Sequence, residues 1–212
     1  MGHGLFSIMN QSRILLQAPF LNLFLPANTI SGLLPKIPAK ILEDISKLSL
    51  SNDCLILNQI IMQLNVGDKA PRFKTINQRG ETVSLTDLKK KKLALYFYPQ
   101  DDTPTCTAEA CNLRDNYQAL LAKGFSIYGI SPDGVKSHLK FINKYELPFD
   151  LLVDENHAIA EKYDVWKEKT LFGHTYMGII RTTFIIEKGI ITDIITKVKS
   201  KEHAQQLMKD SK

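Results

Sequence analysis

Tyr96-Phe-Tyr-Pro99-Gln-Asp-Asp-Thr103-Pro-Thr-Cys106-Thr-Ala-Glu109-Ala-Cys111-Asn-Leu-Arg114-Asp115 is the stretch on which the fold turns. Its left end closes the apolar run Leu93 to Tyr98, the pattern of a strand covered on both faces. Pro104 suits the first position of a helix, where a missing N–H costs nothing. Leu113, Tyr117, Leu120 and Leu121 continue at helical spacing until Gly124 stops the run. Cys106 therefore falls in a first helical turn, where unpaired N–H groups and the dipole favour thiolate over thiol. Cys111 follows five positions later, close enough to rescue an oxidised neighbour.

Working outward, Phe125 to Ile130 reads as the next buried strand and Ser131-Pro-Asp-Gly134 as a turn. Val135 to Tyr145 reads as a helix, Leu151 to Asp154 as a short strand, and His157 to Tyr163 as helical. Thr182 to Glu187 and Ile190 to Thr196 make a hairpin across Lys188-Gly189, and a last helix covers about residues 200–210. Upstream, residues 72–77 and 82–85 flank a turn at Asn77-Gln-Arg-Gly80, and Thr86-Asp87 caps a short helix. Phe172, Trp166 and Tyr176 are read as loop packing. The order predicts an α/β fold with a central mixed β-sheet flanked by helices. Right-handed crossovers then gather strand ends and helix starts, Cys106 among them, on one edge, the edge where such sheets bind ligands.

Composition sets the outer limits. The chain has 212 residues, 44% apolar and 23% charged, with a formal charge of +5, which describes an ordinary globular protein. Basic and acidic residues are interleaved, so no nucleic-acid face is expected. Lys89 to Lys92 is the one dense basic block and reads as a solvated turn. Three cysteines are too few for a disulfide scaffold, and their clustering points to redox chemistry. The five histidines have no metal-ligand spacing, so neither metal nor cofactor is expected.

Residues 1–61 differ from the rest. Their only charges are Arg13, Lys36, Lys40, Glu43, Asp44, Lys47 and Asp53, and Pro19, Pro26, Pro35 and Pro38 interrupt regular structure. They are expected to be an extension of unknown role, partly disordered, with one amphipathic patch at Ile41, Ile45 and Leu48 and a bystander thiol at Cys54. Ile14 to Leu25 is too short and too broken to span a membrane. Arg13 before it gives some resemblance to a secretory signal, but no small-x-small cleavage site follows. The expected location is cytoplasmic.

Tyr96-Phe-Tyr-Pro99, Asp102-Thr103-Pro104, Cys106-Thr107 and Glu109-Ala-Cys111 together resemble the peroxiredoxins, in particular the bacterioferritin-comigratory-protein or peroxiredoxin Q group. The likeness runs over about residues 62–210 and includes Val66-Gly-Asp-Lys-Ala-Pro71-Arg-Phe73, Gly129-Ile-Ser-Pro132 and Gly178-Ile-Ile-Arg181-Thr-Thr-Phe184. It implies a thioredoxin-like fold over residues 62–212. It also implies a thiol-dependent peroxidase acting on hydrogen peroxide and organic hydroperoxides. Where the family often has Gly, Thr105 precedes the reactive cysteine, a change that removes no catalytic group.

The resemblance assigns Cys106 as the thiolate and Arg181 as its guanidinium partner, with Thr103 directing a hydroxyl at the peroxide and Pro99 shielding the sulfur. Backbone N–H groups at 105 and 106 are placed to hold peroxide oxygens. The sulfenic acid formed on Cys106 would be attacked by Cys111 and the disulfide reduced by thioredoxin, with no need for a partner subunit; a monomer is expected. Residues i and i+5 of a helix have Cα atoms about 8.6 Å apart, beyond the ~7 Å a disulfide tolerates, so closure requires local unwinding. Glu109 and Arg114 are candidate partners of Arg181 or of the helix, with solvated helix positions the nearly equal alternative. The competing functions are a general thiol–disulfide oxidoreductase, disfavoured because four residues rather than two separate the cysteines, and a redox sensor or holdase.

Overall fold

The computed structural model describes residues 63–88, 92–171 and 173–209. Readings placed on residues 1–62, Cys54 included, on Lys89 to Lys91 and on Phe172 lie outside them. The chain enters a hairpin of β1 (Lys74–Ile76) and β2 (Thr82–Ser84), then α1 (Leu85–Leu88), β3 (Lys92–Phe97), α2 (Pro104–Asp115) and α3 (Tyr117–Ala122). There follow β4 (Phe125–Ser131), α4 (Val135–Tyr145), β5 (Asp150–Val153), α5 (Ala158–Lys162), β6 (Trp166–Leu171), β7 (His174–Ile179), β8 (Thr182–Glu187), β9 (Ile190–Ile195) and α6 (His203–Lys209).

The expected mixed sheet is present, five strands in the order β5-β4-β3-β8-β9. Its β3, β4 and β5 are parallel, while β8 and β9 run antiparallel. Period-two alternation divides β3 between two cores. Ala94, Tyr96 and Tyr98 join Cys106, Ala110 and Leu113 of α2 and Ala204 and Leu207 of α6. Leu93, Leu95 and Phe97 join Phe73, Leu85, Ile159 and Tyr163 on the opposite face. Both faces are covered, which is why the run reads as unbroken apolar sequence.

Two expectations change. The helix expected from Pro104 to Gly124 is broken at Asn116, whose side-chain amide donates to the Asn112 carbonyl at 2.8 Å, and such local bonds compete with the helix ladder. The stretch around Trp166 and Tyr176, read as loop, is the β6–β7 hairpin, paired from Trp166↔Ile179 to Leu171↔His174. Exposed Lys167 and Glu168 beside half-buried Lys169 erase the alternation that betrays a strand. Trp166 does pack as expected, stacked on His157 with centroids 3.7 Å apart.

Gly129 faces Tyr96 across the β3–β4 ladder. A Cβ at Gly129 would lie 2.7 Å from both Leu151 Cδ2 and the Tyr96 hydroxyl, too close for any neighbour in a filled core. Gly129→Ala is expected to destabilise the fold by about 1–3 kcal/mol, measured as a lower urea midpoint at unchanged slope.

The first hairpin is held to β5 by charge. Asp150 accepts from Gln78 Nε2 at 2.8 Å and from Arg79 Nη1 and Nη2 at 3.0 and 2.9 Å, with Asn77 Nδ2 at 3.2 Å. Burial alone would raise this carboxyl, but the donors outweigh it and hold it below its ordinary value. A depressed carboxyl stabilises the fold above its unfolded pKa, and that contribution is lost as pH falls through the folded value. Asp150→Asn is expected to cost about 2 kcal/mol near neutrality. The gap from wild type should narrow in denaturation curves taken as pH drops below the ordinary carboxylate range.

Candidate active site

Register brings the site together. Phe97, the last residue of β3, pairs with Thr182, the first of β8. Arg181, one residue before β8, therefore sits beside the end of β3, from which a short loop carries the chain into α2. Thr103 is the N-cap of α2 with Pro104 in the first turn. The first helical bond runs from Thr107 N–H to the Thr103 carbonyl at 2.8 Å, so the N–H groups of Thr105 and Cys106 have no partner within the helix.

Cys106 is 2% exposed. Arg181 Nη2 donates to its Sγ at 3.1 Å, while Nη1 of the same guanidinium pairs with Glu109 Oε2. Burial alone would lower Arg181, but Glu109 and the Cys106 sulfur more than compensate and its pKa is raised. The planar fork makes this two-way grip possible, one arm for the carboxylate and one for the sulfur. Glu109 is fully buried, and its other oxygen, Oε1, stands 3.0 Å from His203 Nδ1. That approach is at ion-pair distance but off the hydrogen-bonding directions, so among the described residues neither atom has a hydrogen bond. His203 Nε2 lies 2.9 Å from the Thr183 hydroxyl.

Of the five residues singled out, Cys106 and Arg181 are in contact. Thr103 stands one helical turn from Cys106, partly buried, its hydroxyl donating to the Gln100 carbonyl at 3.3 Å. Pro99 is exposed just beyond β3. Cys111 is free, partly buried and on the same unbroken helix as Cys106. Thr105 is exposed, so the side chain replacing the usual glycine points away from the packed core. Arg114 serves α4 instead of Arg181, donating from Nη1 to the Tyr145 carbonyl at 2.7 Å.

Of the two candidate partners of Arg181, Glu109 is the one that pairs with it; it lies three positions from Cys106, on the same helix face. No comparable signal marks His203, whose contact with Glu109 joins distant parts of the chain.

The loop before α2 is pinned separately. Asp101 accepts from the Tyr98 hydroxyl at 2.7 Å and meets His138 Nδ1 at 2.9 Å. Its own N–H donates to Asp133 at 2.8 Å. Buried polar ties of this kind fix a loop to its scaffold. A wide depression of about 740 Å³ lined by Arg72, Lys74, Ser84 and Lys162 lies at the first hairpin and does not include Cys106. Among the described residues no cluster of His, Cys, Asp or Glu could hold a metal, and no helix is long and apolar enough to cross a membrane.

Residues 66–194 match the AhpC/TSA family. The chain is 48% identical over 148 residues to a putative peroxiredoxin Bcp of Coxiella burnetii, covering 69% of this chain and 98% of that protein. It is 48% identical over 153 residues to peroxiredoxin Bcp of Bacillus subtilis, covering 70% and 98%. The fold superimposes with a TM-score of 0.62 and 31% identity on a Xanthomonas campestris bacterioferritin comigratory protein, covering 66% of this chain and 89% of that one. That structure was described in connection with alkyl peroxide reduction and a trapped intermediate. By sequence, by fold and by a cysteine held against an arginine, the chain belongs to the AhpC/TSA family as a peroxiredoxin of the Bcp and peroxiredoxin Q type, a thiol peroxidase.

Proposed function

We propose that Cys106 attacks hydrogen peroxide or an alkyl hydroperoxide, that Cys111 resolves the product, and that thioredoxin or a similar dithiol returns the enzyme to its starting state. The observation that carries this reading is the 3.1 Å contact between Arg181 and the Cys106 sulfur. A guanidinium beside a buried sulfur favours its ionised form, and the thiolate is the nucleophile. Its electron pair enters the near oxygen of the peroxide, the O–O bond breaks, and the departing oxygen leaves as water or alcohol after taking up a proton.

The N–H groups of Thr105 and Cys106, which have no partner within the helix, supply donors with Arg181 for charge that develops on the oxygens. Thr103, at the helix start, is placed to turn its hydroxyl from Gln100 to a bound peroxide, accepting or donating as needed. Pro99 flanks the entrance without an N–H to compete for the thiolate. Cys106 is left as a sulfenic acid. Attack by the Cys111 thiol forms the disulfide and releases water, and two thiols of the reductant then reduce it by exchange. Because both cysteines lie in one chain, a monomer suffices. A thiol pair that is reduced at rest suits a reducing compartment such as the cytoplasm.

Hydroperoxide consumption coupled to oxidation of reduced thioredoxin tests this reading. Stoichiometric oxidation with either hydrogen peroxide or an alkyl hydroperoxide is expected. Turnover supported by monothiols alone would contradict the proposed resolution and recycling.

A further inference from the structure

The reaction centre does not end at Arg181. Cys106, Arg181, Glu109 and His203 form a continuous line of contacts into the core: Sγ to Nη2 at 3.1 Å, Nη1 to Oε2, and Oε1 to Nδ1 at 3.0 Å. Glu109 and His203 are both fully buried. We propose that His203 is a positioning residue of this centre: the proton it holds opposite Glu109 sets how much of the Arg181 charge is left for the sulfur of Cys106.

Charge balance carries the argument. Glu109 and Arg181 cancel one another, so the cluster is neutral with a thiol at Cys106 and a neutral ring at His203. Ionising the sulfur alone leaves one uncompensated negative charge in the interior, which is costly. Ionising it while His203 is an imidazolium restores neutrality. An imidazolium also draws on the Glu109 carboxylate from its far side, freeing the guanidinium to face the thiolate. Sulfur and ring are thus coupled titrating groups, and each must favour the charged form of the other.

The surroundings of the ring permit both states. From α2 it meets Glu109, with Arg181 beyond. From β8 it meets the Thr183 hydroxyl at 2.9 Å, which accepts from Nε2–H in the imidazolium and donates to a bare Nε2 in the neutral ring. From β3 it meets the edge of Tyr96, with ring centroids 6.1 Å apart. The Tyr96 phenol is held neutral, pushed well up by burial first and then by Glu109, Asp101 and Cys106. On its own helix the neighbouring Ala204 N–H is already taken by Asn112 Oδ1 at 2.8 Å. Among the described residues, Glu109 Oε1 and His203 Nδ1 therefore face one another without another hydrogen-bond partner.

The inference rests on the reading of Cys106 as the reacting thiol for its functional meaning, but the coupling is measured without peroxide. The full chain carrying Cys54→Ser and Cys111→Ser keeps Cys106 as its only thiol, and its thiolate absorbance is followed against pH. The same titration is run with His203→Gln, which keeps a neutral N–H donor, and with His203→Ala. Both substitutions are expected to move Cys106 ionisation to higher pH and to slow its alkylation at a pH where the wild-type thiol is partly ionised.

In parallel, the His203 ring is titrated by NMR with and without Cys106→Ser, where it should release its proton at higher pH when the sulfur is present. An unchanged thiol titration in both His203 variants, or a ring titration indifferent to the sulfur, overturns the proposal. Should the His203 variants fail to fold, the ring titration alone decides. Coupling in a protein that consumes no peroxide would uphold this inference and refute the peroxidase reading.

Discussion

Replacing Arg181 with methionine is expected to slow the reaction of Cys106 with hydrogen peroxide on the order of a hundredfold, the usual cost of losing one donor aimed at developing charge. Methionine fills similar space but supplies neither the cation nor the Nη2 donor that lies 3.1 Å from the sulfur. The substitution also strands Glu109, which is fully buried and held by the other arm of the same guanidinium. Removing one partner of a buried pair costs about 3–5 kcal/mol, so a loss of stability should accompany the loss of rate.

A second substitution separates the two effects. Arg181→Met combined with Glu109→Gln removes the stranded charge and should recover much of the stability while leaving the rate low. Arg181→Lys should fall between wild type and methionine, because one ammonium cannot grip Glu109 and Cys106 as the planar fork does. Stopped-flow oxidation and urea denaturation measure the two quantities. A methionine variant that is stable and reacts at the wild-type rate would remove Arg181 from the mechanism.

Changing Cys111 to serine is expected to abolish thioredoxin-supported turnover while the first oxidation of Cys106 still occurs. Both cysteines occupy the same twelve-residue helix, and residues five apart on a helix are too distant for a disulfide. The first turns of α2 must open. The sequence makes that inexpensive: the buried residues of the helix before Leu113 are Cys106, Glu109 and Ala110, and neither Cys nor Ala buries a large side chain. Leu113, worth about 1.5–3 kcal/mol of burial, lies beyond the residues that need to move.

The main contact that opens is Glu109 with Arg181 and His203. In the proposed cycle a neutral sulfenic acid replaces a thiolate facing Arg181, so the grip on α2 is expected to weaken at the step that requires it. Wild type treated with peroxide should therefore show faster amide exchange over residues 105–111 than the reduced protein. The Cys111→Ser variant should accumulate oxidised Cys106 and stall.

The sheet could be read from the chain because β3, β4 and β8 are buried on both faces and their apolar runs leave little else to assign. The β6–β7 hairpin was hidden for the opposite reason. Its strand residues Lys167, Glu168, Thr175 and Tyr176 are exposed or nearly so, leaving no hydrophobic period to detect. Cys106 was legible from strand-to-helix grammar alone, whereas Arg181 came only through family resemblance, since its meeting with Cys106 depends on the Phe97↔Thr182 register. Glu109 carried a usable signal in its helical spacing. His203 carried none, because its role depends on where α6 packs, a tertiary fact that no local pattern encodes.

Intact mass spectrometry with peptide mapping after one equivalent of peroxide bears most directly on the claim that Cys106 is the arginine-held sulfur that reduces peroxide. Wild type should lose two hydrogens, with the bond mapped to Cys106 and Cys111, and Cys111→Ser should gain one oxygen at Cys106. Oxygen gained at Cys54 while Cys106 remains a thiol would contradict the account.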